Sequence, residues 1–173
     1  MAVTKKKNLS EYQKPVIQVT GSLQIGVVVS QWNDKVTYAL RDGAIKTLVK
    51  HGIKRKNILV HEVPGSFELP AAAQWMLEYT PVRAVICLGC VIQGETRHFD
   101  FICQAVSEGI MQVGLDYQSP VIFGVLTTNT VEQALARAGG KHGNKGVEAA
   151  AAALHMMGLK QNLESAFNIN DLL

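Results

Sequence analysis

The stretch "GETRH" at residues 94 to 98 places Gly, Glu, Thr, Arg and His, with many hydrogen-bond donors and acceptors, almost directly after an apolar run, "AVICLGCVI", at residues 84 to 92. Histidine is the residue type that most often transfers protons in catalysis, so His98 is a candidate, although a surface histidine without a role is the commoner case. Backbone N–H groups of "GET" before a helix can bind an anion, although no glycine-rich repeat supports that interpretation. The stretch therefore indicates either a site for proton transfer beside an anion or a solvated connection.

An alternation of apolar runs and helical patterns positions this stretch. Strands are predicted at residues 24 to 30, 57 to 63, 84 to 92 and 120 to 127. Helices are predicted from Asn33 or Asp34 to Gly52, at 68 to 79, at 100 to 117, and on either side of "GGKHG", with Thr128, Asn129 or Thr130 as the N-cap of "VEQALARA". Apolar strands that alternate with helices favour a parallel sheet between two helical layers in a single α/β domain.

The two ends of the chain are set apart from this alternation. Residues 1 to 14 are interpreted as a flexible tail, and the α/β domain is placed at residues 15 to 158. Within it, "PVIQVTGS" at 15 to 22 has the character of one additional strand. A C-terminal tail, irregular or helical, is assigned to residues 159 to 173.

The segments that follow the four strands read "QWND", "PGSFE", "QGETRH" and "TTNT". Open parallel sheets bind ligands beyond the carboxyl ends of their strands, so these segments are expected to share one rim. Trp32 and Phe67 offer flat apolar surfaces there, although a single indole also packs over sheet ends in many proteins. Glu68 begins a predicted helix and can simply complement the helix dipole. The mixture suits a flat, polar ligand.

Composition excludes several classes of protein. The chain has 173 residues, 47% hydrophobic and 18% charged, which is ample apolar material for one core. A net charge of +3 and a single basic run at Lys5 to Lys7 argue against nucleic-acid binding. No stretch has the length of a membrane span or the pattern of a signal peptide, so a soluble, cytoplasmic protein is expected.

Three cysteines are an odd number for a disulfide framework, so reduced thiols are expected. Cys87 and Cys90 spell C-x-x-C, but they lie in a predicted strand, where side chains three positions apart point to opposite faces. A redox pair is therefore not expected. No zinc spacing, nucleophile elbow or G-x-G-x-x-G motif is present, and no metal site is predicted.

The segment "GGKHGNKG" at residues 139 to 146 has a superficial likeness to a phosphate loop. It lacks the G-K-[ST] ending and follows a helix, which argues against nucleoside triphosphate binding. Arg137 and Lys145 nevertheless form a basic cluster there, and Lys145 lies three positions from Glu148 on one helical face. A solvated helix surface is the alternative.

Four motifs in order carry a resemblance to one family. "VPGSFELP" at residues 63 to 70, "LGCVIQGETRHFDFI" at 88 to 102, "FGVLTTNTVEQALARAG" at 123 to 139 and "GNKGVEAAAAALHM" at 143 to 156 resemble the successive signatures of 6,7-dimethyl-8-ribityllumazine synthases. The resemblance implies a flavodoxin-like three-layer α/β/α domain and a cofactor-independent transferase of riboflavin biosynthesis. That enzyme condenses 5-amino-6-(D-ribitylamino)uracil with 3,4-dihydroxy-2-butanone 4-phosphate, releasing phosphate and water.

The resemblance also implies a role for each site residue. His98 matches the proton shuttle, and Phe123 matches a wall supplied by an adjacent subunit. The other positions match substrate-binding residues: Trp32 and Asn33 beside the pyrimidine, Ser66, Phe67 and Glu68 near the ribityl chain, Val91 and Ile92 at the ring, Gly94, Glu95 and Thr96 around the phosphate, and Arg137, Lys145 and Glu148 completing that end. Gln93 stands where many relatives have a basic residue, which puts the strength of the local positive field in doubt.

The quaternary structure that the resemblance implies is a pentamer with its sites between neighbouring subunits. The strand at residues 15 to 22 is then expected to extend a neighbour's sheet. The short break at residues 139 to 146 resembles that of members that assemble twelve pentamers into an icosahedral shell, with riboflavin synthase as a candidate cargo. Two rival functions are a non-catalytic scaffold that has kept the fold and a related pentameric enzyme that dismutates lumazine to riboflavin.

Overall fold

The structure, a computed structural model, describes residue 8 and residues 10 to 170, with side chains through residue 167. The main strands are β1 Ile25–Ser30, β2 Ile58–Val63, β3 Val85–Ile92 and β4 Val121–Thr128. The helices are α1 Asp34–Lys50, α2 Leu69–Tyr79, α3 His98–Asp116, α4 Val131–Ala136 and α5 Lys145–Asn170, and short 3-10 turns occupy Arg55–Asn57 and Ser66–Glu68. A two-stranded hairpin, β5 Ala138–Gly140 and β6 Gly143–Asn144, lies between α4 and α5.

The four main strands form one parallel sheet in the order β2, β1, β3, β4. Both central strands are almost fully buried, as their uninterrupted apolar sequence predicts. Since all four strands run in the same direction, their carboxyl ends lie at the same edge, and the segments after Ser30, Val63, Ile92 and Thr128 begin there. The predicted rim is therefore present.

Helices cover both faces of the sheet. One core contains Val27, Ile86 and Leu88 of the sheet with side chains of α1, α4 and α5, and the other contains Val28 and Cys87 with side chains of α2 and α3. The alternation of strand residues between these two cores is the period of two that a strand imposes. The three-layer α/β/α architecture and the four-stranded parallel sheet are confirmed.

Helix α5 is the largest difference from the sequence-based expectation. It continues through Gly158 to Asn170, so the helical form of the predicted tail is the one observed and an irregular tail is wrong. The N-terminal segment packs closely against this helix. The carbonyl oxygen of Val16 lies so near Gly158 that a Cβ at residue 158 would collide with it. Glycine is needed there for packing and does not end the helix, although it is a poor helix former.

Residues 15 to 22 do not pair with any strand of the chain's own sheet. Gln18 instead exchanges two hydrogen bonds with the Gln161 side chain on α5, at 3.1 Å each. A strand needs a neighbouring strand to hydrogen-bond with, and residues 15 to 22 have none among the described residues of this chain. Its pairing with a neighbouring subunit remains a prediction.

The predicted flexible tail is described only in part. Residues 1 to 7, with the basic run, lie outside the described residues, as do residue 9 and residues 171 to 173. Ser10, Tyr12 and Gln13 hydrogen-bond to Asn144, His51 and His155, respectively, so this part of the tail is attached to the domain. Within the part of the chain that is described, none of the helices is both long and apolar enough to span a bilayer.

Candidate functional site

Hydrogen bonds join all four segments that follow the strands. Trp32 N donates to Pro64 O at 3.1 Å, which ties the segment after β1 to the one after β2. The Asn33 side chain donates through Nδ2 to Cys90 O at 2.9 Å, which ties it to the end of β3. Gln93 N donates to Thr128 O at 2.8 Å and so connects β3 to β4. The rim is a single connected surface fixed largely by backbone groups.

Asn33 shows how the first segment turns. It occupies the N-cap position of α1 in the left-handed region, with φ of 60°, a conformation that asparagine tolerates better than most residues. Asn33, one of the two predicted caps, is thus the N-cap residue, but its side chain makes no capping hydrogen bond; the other, Asp34, accepts through Oδ1 from Lys35 N at 2.7 Å. The Asn33 amide instead reaches the neighbouring strand, because this backbone turn directs it across the sheet edge.

Trp32 and the turn before α2 pack together. The Trp32 ring lies so close to Gly65 that a Cβ at residue 65 would collide with it, although the indole itself is 68% exposed. Glu68 turns back to accept a hydrogen bond from Gly65 N at 2.9 Å, which fixes the turn. Phe67, between them, is exposed. One flat face and one carboxylate are thus held beside each other in an accessible position.

Ser66 lies beneath this surface. Its side chain occupies the space over Gly89 of β3, where any Cβ would collide with it. The Ser66 hydroxyl is buried and has no hydrogen-bond partner among the described residues, and the same is true of Ser30 at the end of β1. Ser66 therefore acts here through its packing against β3, beneath the exposed surface of Trp32 and Phe67.

The "GETRH" stretch forms an exposed turn that leads into α3. His98 is the first residue of the helix, and its N–H donates to Thr96 Oγ1 at 3.4 Å. No heavy atom of another part of the chain approaches a Cβ position at Gly94 within 4 Å, so the turn is open on that side. The Arg97 side chain is 85% exposed, with its Nε 3.9 Å from Asp100 Oδ2 and its guanidinium carbon 6.0 Å from the centroid of the Phe101 ring. The His98 imidazole is exposed at the same rim.

A second group of side chains surrounds the hairpin of β5 and β6. Arg137 Nη2 lies 2.8 Å from Glu148 Oε1, and Arg137 Nη1 donates to His142 O at 2.7 Å. Lys145 Nζ lies 3.4 Å from Glu148 Oε2, as the spacing of three residues predicts. The side chains of Arg137 and Glu148 are only 17% and 19% exposed, so this group, which we call the hairpin cluster, is not a solvated helix surface.

Phe123 lies away from the rim of its own chain. It pairs in register with Cys87 in the middle of the sheet, and β4 continues for five more residues to Thr128. At about 3.3 Å per residue, this places Phe123 about 16 Å before the end of the strand. Val91 and Ile92, by contrast, are the last two residues of β3 and reach the rim. Phe123 therefore cannot join the other predicted residues within one chain.

The three cysteines are free thiols, and the C-x-x-C pair is divided between the two cores. Burial raises the pKa of Cys87 to about 12 and that of Cys90 to about 11, so both thiols stay protonated near neutral pH. Packed cysteines are confirmed at positions 87 and 90, while Cys103 is partly exposed. Among the described residues, no three His, Cys, Asp or Glu side chains are grouped as metal ligands would be.

The sequence analysis missed two contributors to the hairpin cluster, Asn144 and Ser10. Asn144 Oδ1 accepts from Gly146 N at 2.8 Å and so satisfies the first turn of α5, while its Nδ2 donates to Ala39 O of α1 at 2.9 Å. An asparagine before a predicted helix is a recognisable capping signal. The Ser10 hydroxyl accepts from Asn144 N at 2.6 Å, and no local pattern indicates that contact, because 134 residues separate the partners.

Comparison with known proteins gives one family for the chain. The family model described as 6,7-dimethyl-8-ribityllumazine synthase matches residues 22 to 161. A protein of that name from Cytophaga hutchinsonii is 57% identical over 151 residues, which is 87% of this chain and 94% of that protein. A protein of the same name from Porphyromonas gingivalis is 52% identical over 89% of this chain and 96% of its own length. Another, from Flavobacterium johnsoniae, is 46% identical over 96% of this chain and 88% of its own length.

The matched region contains the four main strands, the rim, and Arg137, Asn144, Lys145 and Glu148 of the hairpin cluster, and it leaves out residues 1 to 21 and 162 to 173. The chain belongs to the 6,7-dimethyl-8-ribityllumazine synthase family.

Proposed function

We propose that this protein is a transferase that condenses 5-amino-6-(D-ribitylamino)uracil with 3,4-dihydroxy-2-butanone 4-phosphate to 6,7-dimethyl-8-ribityllumazine, phosphate and water. The observation that carries the proposal is the rim, where four connected segments combine a flat aromatic face, a carboxylate and an imidazole. Relatives that bear the name of this synthase match it over most of the chain.

The pyrimidine and its ribityl chain are assigned to the side of the rim near α2. The exposed Trp32 ring offers a stacking face, and stacking of a heterocycle on an aromatic side chain contributes about 1–3 kcal/mol. Glu68 retains lone pairs for ribityl hydroxyls beyond its bond to Gly65, and Phe67 lines the same turn. Backbone groups of Val91 and Ile92 and the Asn33 side chain border the ring position.

His98 is assigned to proton transfer. Imine formation, loss of phosphate and ring closure each move a proton, and an imidazole exchanges protons efficiently near neutral pH. Its exposed position at the first turn of α3, next to the open backbone at Gly94, leaves room for both reactants. Holding the amine and the ketone together supplies much of the remaining acceleration.

The phosphate is assigned to the turn formed by Gly94, Glu95 and Thr96, with Arg137 as the cation. The turn immediately precedes α3, whose positive N-terminal end favours an anion. Arg137 is already paired with Glu148, so phosphate must compete with this carboxylate for the guanidinium, while Lys145 stays beside Glu148. Gln93, exposed next to the turn, adds no charge.

A homo-oligomer completes the proposed site. Because Phe123 is remote from its own rim, a wall at that position has to come from a neighbouring subunit, and a pentamer with sites between subunits provides one. The edge strand β2 is free in the single chain and can accept residues 15 to 22 of a neighbour. We further propose that twelve pentamers form a shell, with riboflavin synthase as a candidate cargo. Light scattering tests the shell, and a particle of pentamer size alone would contradict it.

The proposed reaction requires no cofactor. Loss of phosphate and condensation of the amine with the ketone need no external oxidant or reductant. A cytoplasmic location is part of the same proposal, and the three free thiols support it because such thiols persist in reducing compartments.

A turnover assay with purified protein and both substrates tests this function. Lumazine absorbance and phosphate release should rise together, in equal amounts and above the spontaneous reaction. If neither rises while a ribityl-pyrimidine analogue still binds, the protein is a scaffold that has kept a binding site. Conversion of lumazine to riboflavin instead would identify the dismutating enzyme.

A further inference from the structure

The hydroxyl of Ser10 lies inside the hairpin cluster. It accepts a hydrogen bond from Asn144 N at 2.6 Å, and two acceptors lie within reach of its single proton, Asn144 O at 3.0 Å and Glu148 Oε1 at 3.3 Å. A hydroxyl can donate to only one of these acceptors at a time, and its proton can rotate between them.

The contact of Ser10 with the hairpin depends on close packing at Gly143. Gly143 has φ of +87°, and a Cβ there would collide with the side chains of Ser10 and Asn8, so glycine is what allows the N-terminal segment to approach. Two further bonds hold the same segment: Tyr12 Oη lies 3.0 Å from His51 Nε2, and His155 Nε2 lies 2.9 Å from Gln13 O. Ser10 is therefore held in place over the cluster.

The segment is outside the region that the family model matches, which begins at residue 22. Within that region, Glu148 has the cations Arg137 and Lys145 as partners. Ser10 is its one uncharged donor among the described residues. The contact between Ser10 and Glu148 therefore comes from a segment that the family model does not match.

We propose that Ser10 is a positioning residue that allows Arg137 to exchange Glu148 for the phosphate of a substrate. The inference rests on the proposed function, since it assigns Arg137 to a phosphate. When the guanidinium leaves Glu148, the half-buried carboxylate loses its closest donor. The Ser10 proton then rotates from Asn144 O to Glu148 Oε1, so that the carboxylate keeps a hydrogen bond in addition to its ion pair with Lys145.

The energetic reason is the cost of an unsatisfied charge. A buried acceptor left without a donor loses more free energy than an ordinary hydrogen bond contributes. A donor that replaces the guanidinium lowers the cost of releasing Arg137, and the phosphate affinity rises by the same amount. Ser10 acts through Glu148 and Arg137 and is not assigned any contact with the substrate.

Ser10→Ala tests the inference, with Ser22→Ala as the matched control. Ser22 is an exposed serine of the same N-terminal region, and its hydroxyl contacts only Thr20 Oγ1, at 3.4 Å. Calorimetric titration of the full-length protein with inorganic phosphate gives the affinity. We expect Ser10→Ala to weaken phosphate binding about three- to tenfold, the loss of one hydrogen bond of ordinary strength, and Ser22→Ala to leave it unchanged.

A second pair of variants separates the hydroxyl from the shape of the side chain. Ser10→Thr and Ser10→Val have the same branched shape, and only threonine keeps the donor. Phosphate binding should be weaker in Ser10→Val than in Ser10→Thr, and the KM of the phosphate-bearing substrate should follow while that of the pyrimidine does not. Equal affinities in these two variants, or a Ser10→Ala protein that binds phosphate as well as Ser22→Ala, would overturn the inference.

Arg137→Ala distinguishes a failure of this inference from a failure of the proposed function. If Arg137→Ala loses phosphate affinity and Ser10→Ala does not, only the role of Ser10 is wrong. If wild type and Arg137→Ala bind phosphate equally, the assignment of Arg137 to the phosphate is wrong, and the role of Ser10 is wrong with it.

Discussion

The rim and the hairpin cluster, which the proposed function assigns to one site, are built in opposite ways. At the rim, backbone bonds hold the chain in place, and Trp32 and His98 extend into solvent. In the hairpin cluster, Arg137 and Glu148 are half-buried and satisfy each other. A group that is exposed and fixed can meet a ligand without rearrangement, whereas a paired group has to exchange partners first. The rim is thus suited to the chemical step and the cluster to adjustable binding of an anion.

His98→Ala should have the largest effect, because it removes the imidazole that the proposed function assigns to proton transfer. We expect turnover at saturating substrate to fall about ten- to a thousandfold, within or slightly below the usual contribution of a general acid or base. Steady-state kinetics measure this fall. A loss smaller than threefold would remove His98 from the mechanism and with it the chemical role of the rim.

Arg137→Ala should raise the KM of the phosphate-bearing substrate about ten- to hundredfold, the range expected for lost hydrogen bonds to a charged group. The change in maximal turnover should be much smaller, because the cluster is assigned to binding. Arg83→Ala is the matched control, since that arginine is exposed and lies just before β3, at the opposite end of the strand from the rim. Equal KM values for the two variants would contradict the role of the cluster.

Gly89→Ala should destabilise the protein by about 1–3 kcal/mol, because the added methyl group meets Ser66 Oγ and Leu69 in a filled core. Gly94→Ala provides the contrast, since open space surrounds that position. Chemical denaturation of both variants measures the difference in free energy of unfolding. If Gly89→Ala is as stable as Gly94→Ala, the rim is not held by the close packing described.

Trp32→Phe should have the smallest effect, because phenylalanine keeps a flat face in the same position. We expect the KM of the pyrimidine substrate to change less than about fivefold, a fraction of the total contribution of aromatic stacking. Trp32→Ala, assayed in parallel, should raise this KM more than Trp32→Phe does. If the two variants behave alike, Trp32 only packs over the end of the sheet.

Local patterns predicted the strands, the helices and the rim because each depends on short-range periodicity. The apolar runs before Ser30 and Ile92 indicated buried strands, and parallel strands necessarily bring their carboxyl ends together. Thr130 was among the proposed N-caps of α4, and its side chain does accept from Gln133 N at 3.3 Å.

Contacts between distant parts of the chain could not be predicted in this way. The hairpin of β5 and β6 was interpreted only as a break, because two and three residues of strand leave almost no periodic signal. The pairing of Arg137 with Glu148 depends on that hairpin, and the contact of Ser10 with Asn144 depends on how the N-terminal segment lies on α5. The end of α5 was ambiguous because glycine often ends a helix. Here Gly158 lies within α5 and allows the backbone of Val16 to pack closely.

A single-turnover experiment on His98→Ala and Arg137→Ala tests the division between rim and cluster most directly. Protein in excess over the pyrimidine substrate is mixed with increasing concentrations of the phosphate-bearing substrate, and the rate constant of lumazine formation is followed to saturation. The account predicts that Arg137→Ala approaches the wild-type rate constant at high concentration, while His98→Ala stays slow at every concentration. A slow Arg137→Ala at saturation, or a His98→Ala that recovers, would contradict it.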